Sequence, residues 1–256
     1  MSFSLEPPRF AFPTRWTASW IGAPSIPGDW RDPPPSLARE LVDRIDLSVL
    51  EATGGSFTDR HPVERVRIRR ASFYPDHLLV EIQVAASPRT GDRAAIAAFV
   101  YGPEGATLLD GASPPIHDLN TRHTALAEPA ARLDYVRFFC AHVRGEAGPF
   151  QVVESTTDVA FRPRVRKTTR ERVHALLEPL REDRPTKEPL TALAGKRRFA
   201  AHVLYDDVLF RTFFAVTSAT GMIEMLDDEP LTGKLPLVAW TYDGNYRRPA
   251  AKSGAP

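Results

Sequence analysis

The chain reads as an α+β protein built mostly of antiparallel sheet, and three observations lead there. Apolar residues alternate with polar ones in short runs between residues 63 and 101 and again between 199 and 242, the period of a strand with one face buried. Clusters of turn residues separate those runs, so a meander is the economical connection. Only three stretches carry apolar residues at helical spacing, near 36–53, 128–144 and 168–180. Two helix-plus-meander units, 36–161 and 162–248, are expected, joined near 162–168. The alternative is one continuous curved sheet with the helices on its concave face.

Residues 1–35 stand apart. They hold eight of the 24 prolines and three of the four tryptophans, Trp16, Trp20 and Trp30. Proline at that density prevents helix and interrupts ladders, whereas disordered tails are poor in aromatics. The segment is expected to be an extended arm that packs its tryptophans. Its own domain is the simpler surface for them. A protein partner is the other, reached through polyproline II stretches such as Pro33-Pro34-Pro35.

A helix follows, with Ser36 as N-cap and Leu37, Leu41, Val42, Ile45 and Val49 as its apolar stripe, stopped by Gly54-Gly55. Val63–Phe73 then sets Val66 and Ile68 against Arg65, Arg67 and Arg69, a strand with a charged outer face. Tyr74-Pro75-Asp76-His77 is a turn, and Leu78–Ala86 returns with Val80, Ile82 and Val84 on one face. Arg89-Thr90-Gly91-Asp92 turns into a third strand, Ala94–Tyr101. Residues 102–127 read as a long loop around a short strand at Thr107–Leu109.

Glu128–Arg144 is apolar nearly all round and is expected to be a buried helix against a sheet. Phe150–Phe161 reads as a strand. A helix over Val173, Leu176, Leu177 and Leu180 ends near Pro185 and Pro189. Strands follow near Phe199–Tyr205, Val208–Val216, Met222–Leu226 and Leu235–Tyr242, turning at Asp206-Asp207 and Ala219-Thr220-Gly221. Residues 249–256 are expected to be a disordered tail. Tyr74-Pro75-Asp76-His77-Leu78-Leu79 faintly echoes Tyr205-Asp206-Asp207-Val208-Leu209-Phe210, which two hairpins with similar turn chemistry explain as well as a duplication does.

Composition narrows the function classes. The 256 residues carry 33 basic and 32 acidic side chains, a net charge of +1, so no global field draws the chain to nucleic acid or anionic lipid. The single cysteine, Cys140, permits no intrachain disulfide, which fits a reducing compartment. No apolar run is long enough to span a bilayer, and the first residues lack the pattern of a secretory leader. A cytoplasmic location is the expectation. Only five lysines accompany the many arginines, a codon bias that suggests a GC-rich bacterial genome.

Motifs with defined chemistry are missing. There is no Gly-x-Ser-x-Gly, His-Glu-x-x-His, Cys-x-x-Cys or Gly-x-Gly-x-x-Gly. Gly195-Lys196 precedes Arg197 rather than Ser or Thr, and Leu190 stands where a phosphate loop begins with glycine. Four sets of residues remain. His117, Asp118 and His123, with Asp110 upstream, combine nitrogen and oxygen donors suited to a divalent metal. Their spacing matches no metal motif, and Asx turns account for such residues in a surface loop. Glu224, Asp227 and Asp228, with Glu229 and the Asp206-Asp207 turn, could hold Mg²⁺ or act as an acid/base pair, yet carboxylates beside Pro230 and Gly233 are also ordinary turn formers. Cys140, His142 and Glu146 resemble a nucleophile set, but residues 140 and 142 project about 200° apart on a helix of 3.6 residues per turn, so Cys140 reads as core. Arg162, Arg164, Arg166, Lys167, Arg170 and Arg172 give residues 162–172 a net charge of +5. They could neutralise phosphates, although no base-reading motif accompanies them and a solvated linker is the simpler account.

The reading that results is a non-enzymatic interaction or accessory protein with a protein partner at residues 1–35. One alternative is a ligand-binding or metal-dependent enzyme with a pocket between the 128–144 helix and its sheet. The other is nucleic-acid binding through residues 162–172.

Overall fold

The computed structural model describes residues 12–53, 62–86, 93–183, 195–238, 240–243 and 245–249. It bears out an α+β fold of antiparallel sheets. The expected features at Gly54-Gly55, Arg89–Asp92 and Pro185–Pro189, and the tail beyond Pro249, lie outside the described residues. No helix among those described is long and apolar enough to cross a membrane.

Two compact units share the chain. The first takes residues through Ala71, Asp76–Asp110 and Asp243–Arg248; the second takes Ser72–Pro75, Gly111–Tyr242 and the remainder. The compositional break at 162–168 therefore falls inside the second unit. The basic run there spans a turn and the start of a helix, Lys167–Leu176, whereas the division at 110–111 carries no compositional mark.

In the first unit, α1 (Pro35–Thr53) precedes β1 (Val63–Arg70), β2 (Leu78–Val84), β3 (Ala95–Gly102) and β4 (Gly105–Leu108). β1, β2 and β3 form a meander, β4 folds back on β3, and the late strand Tyr246–Pro249 joins β3 through the pair Arg247 and Ile96. The register places Val66 opposite Ile82 and Ile68 opposite Val80. These side chains share a core with Ala38, Val42, Ile45 and Val49 of α1, spaced by three and four as a helix requires. Leu37, expected on the apolar stripe, is instead 57 % exposed.

The opposite face of this sheet carries Arg65, Arg67, Arg69, Glu81 and Gln83, and it does not meet water as expected. The arm crosses it. Gln83 Oε1 accepts from Ile21 N at 2.9 Å and its Nε2 donates to Ser19 O at 3.0 Å. Arg67 donates to Gly22 O and Ala23 O at 3.1 and 2.8 Å, and Arg65 to Ala18 O at 3.1 Å. Strand side chains thus supply the partners that a proline-rich backbone cannot find in a ladder. The Arg67 guanidinium lies 4.0 Å from the Trp20 ring centroid and 5.6 Å from that of Trp30, while Trp16 donates to Pro33 O at 2.9 Å.

The second unit contains α2 (Pro114–His123), α3 (Pro129–His142), β5 (Arg144–Gly145), β6 (Gly148–Pro149), β7 (Gln151–Val152), α4 (Lys167–Leu176), β8 (Arg181–Asp183), β9 (Lys196–Tyr205), β10 (Val208–Thr217) and β11 (Ile223–Pro230). Its main sheet runs β11-β10-β9-β7, with β8 also beside β9. Two expectations are corrected here. Residues 114–123 are a helix, started by Pro114-Pro115 in its first turn, where a missing N–H costs nothing. Residues 150–161 form a strand only at Gln151 and Val152, with a single further bridge from Phe161 to Leu237. The backbone then turns because Asp158 Oδ2 accepts from the N–H groups of Glu154 and Ser155 at 3.0 and 2.8 Å.

The core face of α3 is filled by rings. Phe73, Tyr74, Tyr135 and Phe138 are fully buried, with neighbouring centroids 4.7–6.4 Å apart.

Candidate functional site

The chemistry-bearing residues singled out in the sequence belong to several different elements. Helix α2 carries His117, Asp118 and His123. The two histidines are six positions apart, which puts their side chains about 120° apart around the axis. His117 packs its ring 5.9 Å from that of Phe139, and Asp118 is exposed. Asp110 follows β4 in the first unit. Among the described residues, no group of three or more His, Cys, Asp or Glu side chains is placed to hold a metal ion.

Asn120, between those histidines, belongs to a buried polar chain. Tyr74 Oη donates to Asn120 Oδ1 at 2.6 Å, and Thr124 Oγ1 donates to the same oxygen at 2.9 Å. Asn120 Nδ2 donates to Tyr135 Oη at 2.7 Å, which donates on to Gly221 O at 2.7 Å. Burial pushes both phenols well above the usual tyrosine range, so both remain neutral donors. Every member is satisfied by another, which describes a latch between α2, α3 and the β10–β11 turn rather than a reactive site.

Cys140 is 2 % exposed, and burial pushes its thiol up to about 12. His142 is equally buried, with Nδ1 2.9 Å from Phe138 O. A thiol so far from ionisation is no nucleophile.

The basic stretch is partly spent on structure. Arg162 Nε donates to Leu237 O at 2.8 Å. The Arg170 guanidinium sits 5.0 Å from the Phe161 ring centroid, and Lys167 approaches Glu171 at 3.5 Å one turn away. Arg164 occupies the left-handed region at φ +67°. Arg164, Arg166 and Arg172 are exposed, with no side-chain partner among the described residues.

Glu224, Asp227 and Asp228 lie on β11, where the geometry is more informative. This strand ends its sheet, and among the described residues no strand pairs with its outer edge. Every residue from Glu224 to Pro230 is exposed, and Ile223 is half-buried. The register with β10 places Ala215 opposite Glu224, Phe213 opposite Asp227 and Arg211 opposite Glu229, three acids on one face. Asp228 opposes Thr212 on the other face, so it does not converge with Asp227. That other face presents Ile223 and Met225 beside Val216 and Phe214. Leu226 is the extra residue where the register shifts, a bulge in the edge. Met222, Met225 and Leu226 are 44, 46 and 44 % exposed. Lys196 offsets Glu224 at 2.9 Å and Arg211 offsets Glu229 at 2.5 Å. Asp227 makes no ion pair among the described residues.

In the sequence these acids read as turn formers or as a Mg²⁺ or acid/base set, and nothing local shows that the methionines are exposed. Pro230 was the available signal, because proline within a strand marks an edge. No family model, curated protein or solved structure matches this chain.

Proposed function

We propose that the chain is a non-enzymatic interaction protein and that β11 receives an extended, basic segment of a protein partner. The observation that carries this reading is the open edge of β11, with Glu224, Asp227 and Glu229 on one face and Ile223, Met225 and Asp228 on the other. A strand added to that edge gains main-chain hydrogen bonds, with side chains alternating between the two faces. Lys or Arg would meet Glu224, Asp227 and Glu229, and apolar residues would cover Met225 and Ile223. A second copy of β11 fits poorly, since its own acids would oppose these across the new ladder.

Synthetic peptides that alternate Lys or Arg with Val or Leu provide the test, with fluorescence anisotropy as readout. Saturable binding that weakens with salt, and is lost in Asp227→Lys and Met225→Lys at unchanged melting temperature, is the expected result. Equal binding by both variants, or no binding at low salt, overturns the proposal.

Nucleic-acid binding is a second reading, favoured by the exposed Arg164, Arg166 and Arg172. It requires affinity for duplex or single-stranded oligonucleotides that falls steeply with salt and with Arg164→Ala and Arg166→Ala; absence of binding at low salt removes it. The arginine bias and single cysteine support a bacterial, cytoplasmic setting for either activity.

A further inference from the structure

The main chain of β11 is not equally open along its length. Beyond the Val216–Ile223 pair, Thr217 N donates to Met222 O at 2.9 Å; beyond the Phe210–Pro230 pair, Leu231 N donates to Leu209 O at 2.8 Å. In an antiparallel ladder, pairs that exchange hydrogen bonds alternate with pairs that do not. Counted along β10 from either end, the bonded positions are Ala215, Phe213 and Arg211, so the bulge leaves the phase intact. Their partners Glu224, Asp227 and Glu229 turn their main-chain groups toward β10. Ile223, Met225, Asp228 and Pro230 turn theirs outward.

Two of those four positions are closed. Pro230 has no N–H to offer. Asp228 N donates to Asp227 Oδ1 at 3.0 Å, so its outward donor is engaged by the neighbouring carboxylate. The extra residue Leu226 lies between the two halves and breaks the repeat that a longer partner would follow. Devices of this kind keep sheet edges from pairing indiscriminately. Ile223 and Met225 differ. Each directs N–H and C=O outward, and neither N–H meets an acceptor among the described residues.

The geometry points to strand addition confined to residues 223–225, and so to an extended tripeptide of a protein partner as the unit recognised: apolar, basic, apolar, running antiparallel to β11. This rests on the reading of β11 as a docking edge and adds its register and length. The antiparallel sense follows the sheet, in which every pair is antiparallel. The outer residues of the tripeptide oppose Ile223 and Met225, exchange hydrogen bonds with them and place their side chains on the face those two share. The middle residue turns its N–H away from β11 and its side chain toward Glu224, whose carboxylate also holds Lys196 at 2.9 Å. Basic residues preceding the tripeptide find no main-chain partner and meet Asp227 through charge alone.

The test uses the full chain and a labelled peptide with a single Val-Lys-Val core, preceded by lysines and followed by glycines, read by fluorescence anisotropy. N-methylation of either valine should weaken binding about tenfold or more, because it removes a donor that faces β11, whereas N-methylation of the middle lysine should leave binding unchanged. Amide exchange reads the same register from the protein's side. Without peptide, the Ile223 and Met225 amides should exchange faster than that of Glu224, and bound peptide should slow both. The Asp228 amide should exchange more slowly than that of Met225, and faster in Asp227→Ala than in the parent. Saturable binding with neither valine sensitive, or with the lysine as the sensitive position, overturns the register and leaves docking at β11 standing. Ile223 and Met225 amides as protected as that of Glu224 do the same. No binding by the unmethylated peptide at low salt removes the docking reading and the register together.

Discussion

Arg67 of β1 donates from Nε to Glu81 of β2 at 2.7 Å, and both side chains are buried beneath the arm. Burial acts to lower the Arg67 pKa, and Glu81 opposes that shift. Burial alone would raise the Glu81 carboxyl. The guanidinium groups of Arg247 and Arg67, with hydrogen bonds from Ser25 and Arg67, outweigh it and hold the carboxyl below its ordinary value. Removing Arg67 leaves the buried Glu81 with Arg247, at 3.6 Å, as its remaining counter-charge. Arg67→Met is expected to cost about 3–5 kcal/mol in urea unfolding. Adding Glu81→Met to it should recover part of that loss, because the buried carboxylate is removed along with its closest partner; a double variant as unstable as the sum of the singles contradicts this.

The same carboxyl sets an acid limit. Its folded pKa lies below the ordinary 4.5, so its contribution is fully present above about pH 4.5 and is lost as pH falls through the folded value. The melting temperature should therefore drop below pH 4.5. Glu81→Gln should melt lower at pH 7, and its gap from the parent should narrow on acidification. A gap independent of pH between 7 and 3 would show that Glu81 is not the titrating group.

Gly221 closes the buried polar chain of the second unit at φ +64°, and a Cβ there would lie 2.6 Å from Asn120 Nδ2. Gly221→Ala meets both a left-handed backbone and a filled space. A loss of about 1–3 kcal/mol is expected from the strain. Asn120→Ala should cost a comparable amount by removing the acceptor of the Tyr74 and Thr124 hydroxyls and the donor to Tyr135 Oη, about 1–3 kcal/mol in all. Chemical denaturation of each variant decides; a neutral Gly221→Ala shows that the turn relaxes freely.

Cys140 should be silent to thiol reagents in the native state. With its thiol pushed up to about 12 and 2 % exposure, the chain is expected to react with Ellman's reagent at pH 8 only in denaturant. Stoichiometric native reaction within minutes would place this thiol at the surface.

The arm should behave as part of the fold. Its residues 18–25 satisfy Arg65, Arg67, Glu81 and Gln83, so deleting residues 12–34 exposes buried charge. Loss of the cooperative thermal transition is the expected outcome, and an unchanged transition would assign the arm to some other surface.

The strands were legible because alternation reports a buried face directly: Val66, Ile68, Val80 and Ile82 sit on one side of the sheet as their spacing required. Alternation says nothing about what covers the other side. Arg65, Arg67 and Arg69 looked solvated because charge usually is, and only long-range contacts to residues 18–27 show otherwise. Helix α2 was hidden by composition, since Pro114, Pro115, Asp118 and Asn120 read as loop residues one by one. The character of β11 was hidden for a similar reason: edge position depends on which strands pair beyond it, and no local pattern encodes that except Pro230.

The late strand Tyr246–Pro249 has a consequence for how the chain is made. Its Arg247 pairs with Ile96 and approaches Glu81 at 3.6 Å, so the first unit's sheet lacks this strand and this guanidinium until the strands of the second unit's main sheet have been synthesised. During synthesis, β3 waits on the ribosome with part of an edge open and Glu81 short of a counter-charge. Completion of the first unit is therefore tied to synthesis of residues 246–249, and a stall after residue 242 would leave that sheet unfinished while every strand of the second unit's main sheet had already been made.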